Sequence, residues 1–398
     1  MSRIGSEGVS TVGEIMMEFA GLTGLMPASA TPRRYLWTDA FAVCNFLELY
    51  RQSGDEQYTH LALRLVEQVH RVLGRHRGDD KRKGWISGLS EDEGAVHPTA
   101  GGLRIGKGMK ERRPREPYDE RLEWERDGQY YHYLSKWMHA LHQVSAVTGD
   151  PLYNGWALEL AKTAHARFTY RSSRGSVKRM HWKMSIDLSR PLVASMGQHD
   201  PLDGLITYRE LQAFAEKTRQ STAAQDLESE IADMIQIGQG VTWDTDDPLG
   251  IGGLLGDAYR SAQLSVTQGS KETDLLVGLL ESSLKGLGHF ARGSSLMSPA
   301  DFRLAFRELG LSIGLRAVQR LQGLIEGHPE LFDRKHPVHT KLKSLMRYLP
   351  LCEGIEGFWL DPASRDNETW RAHREINLVM LATSLAPDAY LSLDPQKQ

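Results

Sequence analysis

Apolar residues along most of this chain recur at spacings of three and four, which is the period of an amphipathic α-helix. The stripe is clearest from Tyr58 to Val72 and from Tyr153 to Ala164. Further helical patterns run over 8–25, 207–217, 223–237, 299–326, 338–348 and 367–384. The strict alternation that indicates β-strands is nearly absent. The pattern therefore predicts an all-α protein of about a dozen helices.

Two segments of the chain repeat each other at an offset of 95 residues. LELYRQSGDEQYTHLALRLVEQVH begins at Leu47, and HQVSAVTGDPLYNGWALELAKTAH begins at His142. Each copy contains a Gly-Asp pair, in which the glycine can end one helix in the left-handed conformation and the aspartate can cap the next. A fainter third copy starts at Ser261 and keeps the turn and the apolar stripe. The repeating unit is a helical hairpin.

A loop of about 50 residues, 75–128, separates the first two hairpins, and loops of this length are uncommon unless they serve a function. Hairpins that cannot bury their apolar stripes alone must stack, either in an open solenoid or in a closed ring. Solenoids usually repeat at a short, strict period, which this chain lacks. We therefore expect one closed ring over 1–398, with 75–128 as a lid over one end.

The segment RRYLWTDAFAVCNFLELYRQSGDEQY, together with GQYYHYLSKWMHALHQVSAVTGDPLY, resembles the six-hairpin glycosidase superfamily. The resemblance implies an (α/α)6 toroid with long loops over one end. It also implies a central funnel, lined by the N-terminal ends of inner helices, where sugar-binding and catalytic residues lie. Members include unsaturated glucuronyl hydrolases, mannanases, trehalases and sugar 2-epimerases, so the resemblance implies a scaffold and a carbohydrate ligand rather than one reaction.

Composition narrows the classes of partner and compartment. A formal net charge of -3 argues against nucleic acid as the main partner. The two cysteines, Cys44 and Cys352, give no metal-ligand spacing and no disulfide framework, so we expect no metal, no cofactor and a reducing compartment. The sequence has no secretory signal pattern and no run of 18 apolar residues, which predicts a cytoplasmic protein without an integral membrane segment.

Glycoside cleavage requires one carboxyl group to protonate the leaving oxygen and usually a second to activate water or act as nucleophile. Asp39 is the first candidate for the general acid, because it stands at the start of a predicted inner helix beside Trp37. Asp127 precedes the inner helix of the second hairpin, and Glu356 lies in a later acidic and aromatic segment. Helix capping explains Asp39 and Asp127 equally well.

Histidines offer a second kind of chemistry. Tyr131 and His132 open the second inner helix, and one of them should face the funnel, where histidine can move protons near neutral pH. The epimerase members of the superfamily use histidines as general acid and base, which points to His132 and His199. Asp200 follows His199 as a substrate-binding candidate, and His97 occupies the same role in the long loop.

Two further segments combine polar and aromatic residues. Trp359, Asp361 and Arg371 form a candidate sugar subsite, because such sites join aromatic faces to a few polar groups. The run Asp244-Thr245-Asp246-Asp247 indicates an acidic turn or a cation-binding loop. The Gly-Lys-Gly sequence at Lys107 follows no predicted strand and lacks the spacing of a nucleotide-binding loop.

The sequence thus predicts a carbohydrate-active protein, with glycoside hydrolysis of small oligosaccharides or sugar derivatives as the first candidate reaction. Two alternatives stay open. One is a sugar epimerase or isomerase that works through histidines, and the other is a non-catalytic sugar-binding or scaffold toroid.

Overall fold

The computed structural model describes residues 6–172, 178–193, 195–218, 226–270 and 273–394, and helices dominate it. The helices, in chain order, are α1 (Ser6–Thr23), α2 (Leu36–Ser53), α3 (Glu56–Leu73), α4 (Glu91–Val96), α5 (Glu120–Glu125), α6 (Tyr131–Thr148), α7 (Leu152–Phe168), α8 (Asp200–Lys217), α9 (Glu228–Gly238), α10 (Pro248–Gln268), α11 (Asp274–Phe290), α12 (Ala305–Gly327), α13 (Pro337–Leu345), α14 (Leu349–Leu360), α15 (Pro362–Arg365), α16 (Glu368–Ala372), α17 (Arg374–Leu385) and α18 (Asp388–Leu391). Short strands are β1 (Gln129–Tyr130), β2 (Thr169–Arg171), β3 (Lys178–Met180), β4 (Lys183–Met184) and β5 (Pro191–Val193). Single 3-10 turns span Ser295–Met297, Ala300–Phe302 and Met346–Tyr348.

The repeated hairpins are present as predicted. Gly54 follows α2 with φ 72°, and Gly149 ends α6 with φ 75°, so both adopt the left-handed conformation that glycine tolerates best. Oδ1 of Asp55 then accepts the Gln57 N–H at 2.9 Å at the start of α3. In the third copy Gly269 ends α10 with φ 62°, and α11 follows. Helix, glycine turn and helix recur as the sequence indicates.

Several helical segments differ from those that the apolar spacing predicts. Helix α8 begins at Asp200 rather than near 207, because Pro201 at a first helical position and acids in the first turn favour a helix start that apolar spacing does not reveal. The predicted helix over 367–384 is divided at His373 into α16 and α17. The acidic and aromatic segment at Glu356, for which the apolar spacing predicts no helix, lies inside α14, whose apolar face is buried.

The chain forms two compact units. The first contains the described residues up to Leu22, Glu48–Gly54 and the described residues from Thr242 onward. The second contains Thr23–Leu47 and Asp55–Val241. The expected single domain over 1–398 stays a prediction.

Helices α10 and α12 form the centre of the first unit, with α11 against α10 and with α14 and α17 against α12. The two central helices approach closely through glycines. A Cβ on Gly252 would lie 2.0 Å from the Gly310 carbonyl oxygen, and a Cβ on Gly314 would lie 2.5 Å from Cα of Gly252. Only glycine fits this crossing without moving a backbone.

In the second unit α6 packs against α7 and α8, and α8 packs against α9. A small antiparallel sheet, in the order β1-β4-β5, stands at the start of α6. In this sheet Tyr130 pairs with Lys183, and the Tyr131 N–H donates to the Trp182 carbonyl oxygen at 3.4 Å. The sheet therefore fixes Trp182 beside the first turn of α6.

Candidate functional site

An aromatic cluster lies at the start of α6 in the second unit. Tyr130 is central, with ring centroids 5.2 Å from Tyr133, 5.2 Å from Trp182 and 5.3 Å from His132. The full cluster comprises Tyr35, Trp124, Tyr130, His132, Tyr133 and Trp182. Trp124 is 46% exposed, so the aromatic cluster reaches the surface at this residue. Its rings combine flat apolar faces with polar tips, which suits the stacking of a polar ring such as a sugar.

A contact between a histidine and an aspartate borders the aromatic cluster. Nδ1 of His132 lies 3.5 Å from Oδ1 of Asp200, and the His132 side chain is 28% exposed. Asp200 is 3% exposed, and its Oδ2 is buried without a hydrogen-bond partner. One turn further along both helices, Nζ of Lys136 lies 2.9 Å from Oδ1 of Asp203. The first turns of α6 and α8 therefore carry two parallel contacts between a nitrogen-bearing side chain and a carboxylate, and the second oxygen of Asp200 is buried without a hydrogen-bond partner.

The hydroxyl groups of the aromatic cluster are hydrogen-bond donors at neutral pH. The Tyr35 and Tyr133 hydroxyl oxygens are 2.7 Å apart. Burial raises the pKa of Tyr35, Tyr130 and Tyr133, so all three phenols keep their protons. One hydroxyl of the Tyr35–Tyr133 pair donates to the other, so one of these protons is used within the protein.

A buried lysine, Lys183, contacts the ring of Tyr130 in the aromatic cluster. Nζ of Lys183 lies 5.2 Å from the centroid of the Tyr130 ring and donates to the carbonyl oxygens of Glu123 and Arg126 at 2.6 and 2.8 Å. Burial lowers the pKa of Lys183 to about 8, while its ion pair with the Glu123 carboxylate opposes that shift. Its bonds within the protein indicate a structural role.

Asp39, the first sequence candidate, lies in the first turn of α2 and is 1% exposed. Its Oδ2 accepts the Tyr35 N–H at 2.9 Å, and its Oδ1 lies 3.4 Å from Nη1 of Arg34. Both contacts are structural, since they fix the entry of the chain into α2. The catalytic role of Asp39 stays a prediction, and the geometry favours the capping alternative.

Asp127 anchors the long segment 75–128. Its Oδ1 accepts backbone N–H groups, including those of Gly106 at 3.0 Å and Gly128 at 3.1 Å. Its Oδ2 accepts from Nη1 of Arg104 at 2.9 Å and of Arg77 at 3.2 Å. A fully buried carboxylate with five donors has no free lone pair directed at a ligand. A structural role therefore explains Asp127 better than the predicted catalytic one.

Glu356 and Trp359 lie on α14 in the first unit, and both bind α12. Oε1 of Glu356 accepts from the Ser312 hydroxyl at 2.8 Å, and Oε2 lies 2.5 Å from Nη2 of Arg316. The Trp359 indole donates to Oε2 of Glu308 at 2.8 Å. These buried bonds join the two helices. The polar atoms of Glu356 and Trp359 therefore face α12 and not a ligand, and their predicted roles in catalysis and binding stay predictions.

The remaining aromatic candidates are packed. Trp37 is 6% exposed and lies against Phe41, with ring centroids 4.4 Å apart. Tyr131 is fully buried, and its hydroxyl donates to the Tyr208 hydroxyl at 2.8 Å. Of the two residues that open α6, the histidine thus faces outward and the tyrosine faces α8.

The remaining polar candidates are His97, His199, Asp361 and Arg371. Nδ1 of His97 lies 2.6 Å from Oε2 of Glu159 on α7. His199 precedes α8 as its N-cap residue, directly before Asp200. Asp361 caps α15, and Arg371 pairs with Asp366 on the surface of the first unit. Among the sequence candidates, the structure brings His132 and Asp200 together.

The described residues contain no group of three or more His, Cys, Asp or Glu side chains arranged to hold a metal ion. The acidic run at Asp244 is used by the protein itself. Oδ1 of Asp244 accepts from the Ser282 hydroxyl at 2.6 Å, and Asp247 caps α10 and pairs with Arg307 at 2.6 Å. An acidic turn is therefore the better description of this segment.

Sequence reasoning did not single out Trp124, Tyr133 and Trp182. The aromatic run from Tyr130 to Tyr133 was a usable signal, because four large rings around a helix start cannot all enter the core. Trp182 gave no such signal, since strands of two or three residues have no readable period.

The structure is similar to that of the α-1,6-mannanase GH76A from Salegentibacter sp. HEL1_6, with a TM-score of 0.51, 12% identity, and coverage of 95% of this chain and 99% of that chain. It is also similar to the cellobiose 2-epimerase from Spirochaeta thermophila DSM 6192, with a TM-score of 0.46, 13% identity, and coverage of 94% and 97%. A sugar epimerase from a ruminal bacterium gives a TM-score of 0.45, 12% identity, and coverage of 88% and 87%. No protein-family model matches the sequence, and no curated protein shows significant similarity to it.

The similarity to the mannanase shows a shared fold and confirms the predicted fold class, an all-α (α/α)6 toroid. At 12% identity it identifies the fold alone. Within the described ranges, every helix is too short or too polar to cross a lipid bilayer.

Proposed function

We propose that this protein is a carbohydrate-active enzyme that binds a sugar on the aromatic cluster and transfers protons through His132 and Asp200. The observation that carries the proposal is the position of Asp200, whose Oδ1 lies 3.5 Å from Nδ1 of an imidazole that is itself part of the aromatic cluster. A mannanase with the same fold supports a carbohydrate as the ligand.

Glycoside hydrolysis is the first candidate reaction. It requires two carboxyl groups, one of which donates a proton to the leaving oxygen. Asp200 supplies one, since its Oδ1 lies 3.5 Å from Nδ1 of His132 in the aromatic cluster. We assign the second to Glu125, an exposed residue at the end of α5 whose charge acts on Tyr35 and Tyr130. This pair replaces Asp39, Asp127 and Glu356, whose oxygens are bound within the protein.

Epimerisation or isomerisation of a free sugar is the second candidate. It requires a base that removes a proton next to a carbonyl group, and an imidazole is suited to this task near neutral pH. The observation that favours it is the position of His132, which is stacked on Tyr130 and remains partly exposed. Asp200 would hold the imidazole ring in place and stabilise its protonated form.

Product analysis separates the two reactions. The purified chain is incubated with mannobiose, cellobiose and the free monosaccharides, and the products are identified by two-dimensional NMR. Cleavage that releases monosaccharides supports hydrolysis, and a changed configuration without cleavage supports epimerisation. Binding without turnover would instead leave the non-catalytic sugar-binding alternative.

Two variants test the assigned site on whichever substrate is turned over. We expect His132→Gln and Asp200→Asn each to lower kcat by about 10²–10⁴-fold, the usual contribution of general acid–base catalysis. His60→Gln is the matched control, because His60 is exposed on α3 and its ring is not part of the aromatic cluster. Wild-type rates in both site variants would show that the chemistry takes place elsewhere.

We also keep the cytoplasm as the expected compartment. Cys44 and Cys352 are both buried free thiols. Burial raises the pKa of Cys352 to about 12, so this thiol is not reactive at neutral pH. Unpaired structural thiols of this kind suit a reducing environment.

A further inference from the structure

Lys107 points a positive charge at the aromatic cluster. Its Nζ lies 5.6 Å from the ring centroid of Trp124 and 5.9 Å from that of Tyr130. The residue is half-buried, and within the described part of the chain its ammonium group has neither a hydrogen bond nor an ion pair. Its contacts within the protein are with aromatic rings.

The backbone holds Lys107 rigidly in this position. Its carbonyl oxygen accepts from Nη1 of Arg77 at 2.5 Å, and its N–H donates to Oδ1 of Asp127 at 3.4 Å. The preceding Gly106 has φ 97°, and a Cβ there would lie 2.2 Å from the Arg34 carbonyl oxygen. Asp127, the residue that anchors segment 75–128, therefore also fixes the backbone at Lys107.

Two of the three acids whose charges act on Lys107 are neutralised by other cations. Asp127 is paired with Arg77 and Arg104. Glu123 lies 2.9 Å from Nε of Arg112 and 3.0 Å from Nζ of Lys183. Glu125 acts on Lys107 through its charge but forms no ion pair with it. Burial lowers the pKa of Lys107, as expected for a cation that loses water without gaining a partner. Such a group is stabilised when a ligand supplies an anion.

Resting on the function proposed above, we propose that Lys107 binds the carboxylate of an acidic sugar whose ring stacks on the aromatic cluster. One lysine matches one negative charge. A phosphate group carries nearly two charges at neutral pH, and Glu125 and Asp200 would repel the excess. A uronic acid therefore fits this position better than a sugar phosphate does.

The test measures binding of matched sugars that differ in charge. Dissociation constants of D-glucuronate, D-glucose and D-glucose 6-phosphate are measured by calorimetry for the wild type, Lys107→Met, Lys107→Arg and Lys110→Met. Lys110 is the control, because its Nζ donates to the Asp79 carbonyl oxygen and the residue is exposed. Circular dichroism and thermal unfolding check that each variant is folded.

We expect the wild type to bind glucuronate about tenfold more tightly than glucose, the size of one charge-assisted hydrogen bond. Lys107→Met should abolish this preference without weakening glucose binding, whereas Lys107→Arg and Lys110→Met should retain it. Equal binding of glucuronate and glucose by the wild type, or tighter binding of the phosphate, would overturn this inference and leave the proposed function standing. Failure to bind any of the three sugars would count against both.

Discussion

Nη1 of Arg34 lies 3.4 Å from Oδ1 of Asp39, and neither side chain is more than 2% exposed. Nη2 of Arg34 also donates to the Thr23 carbonyl oxygen at 2.9 Å. The ion pair therefore joins the chain before α2 to the first turn of that helix. When one member of a buried pair is removed, the other charge stays buried without compensation.

Replacement of Asp39 by Asn should consequently affect stability first. We expect Asp39→Asn to lower the free energy of unfolding by about 3 kcal/mol, because Arg34 loses its counter-charge. Asp55→Asn, at the exposed cap of α3, should change it by less than about 0.5 kcal/mol, since Asn caps as well as Asp. Urea unfolding measures both. An unchanged midpoint together with loss of turnover would instead identify Asp39 as the catalytic acid.

The anchor of segment 75–128 is a second target. Asp127→Asn removes the charge that pairs with Arg77 and Arg104, and we expect a loss of about 3–5 kcal/mol and faster proteolysis within this segment. Limited trypsin digestion followed by mass spectrometry locates the cuts. Asp119→Asn, which keeps the exposed cap of α5, serves as the control. Cleavage at the wild-type rate in Asp127→Asn would show that Asp127 is not the anchor.

The crossing of α10 and α12 permits a test with two adjacent glycines. Gly252→Ala should destabilise the protein by about 3 kcal/mol or more, because the new methyl group would collide with the Gly310 carbonyl group. Gly253→Ala meets no atom within 4 Å and should stabilise α10 by about 0.5–1 kcal/mol. Chemical unfolding of both variants gives the comparison. Equal effects would mean that the close approach of the helices does not limit residue size.

His70 predicts a dependence of stability on pH. Burial lowers its pKa from 6.5 to about 3, and its Nε2 accepts the Trp137 indole N–H at 3.2 Å. Between these pKa values the unfolded chain binds a proton that the folded chain excludes, so stability falls as the pH drops below 6.5. The loss in the free energy of unfolding approaches about 1.4 kcal/mol for each pH unit below 6.5.

The variant His70→Gln isolates this contribution, because Gln retains an acceptor for Trp137 but does not titrate. The difference in unfolding free energy between wild type and variant should shift by about 1 kcal/mol from pH 6 to pH 5, to the disadvantage of the wild type. Urea unfolding at both pH values measures it. Parallel pH profiles of the two proteins would mean that His70 is accessible to protons in the folded state.

Local features of the sequence predicted most of the fold. The apolar spacing, the Gly54-Asp55 turn and its repeat at Gly149 act over a few residues, so hairpins and an all-α class follow from the sequence alone. The start of α8 at Asp200 did not follow from apolar spacing, because its signals are Pro201 and the acids of the first turn. The helical course of α14 did not follow because burial of its apolar face overrides the local preference of its glycines.

For the candidate site, too, the sequence predicted one part and the tertiary structure decided the other. The sequence supplied the residue types, including His132 and Asp200, and the expectation that His132 stands at a helix start. Which carboxylate oxygens are already bound is decided by contacts between residues far apart in the chain, such as Arg77 with Asp127 or Ser312 with Glu356. Electrostatic and hydrogen-bond energies depend on distances of a few ångströms, and those distances exist only in the folded chain.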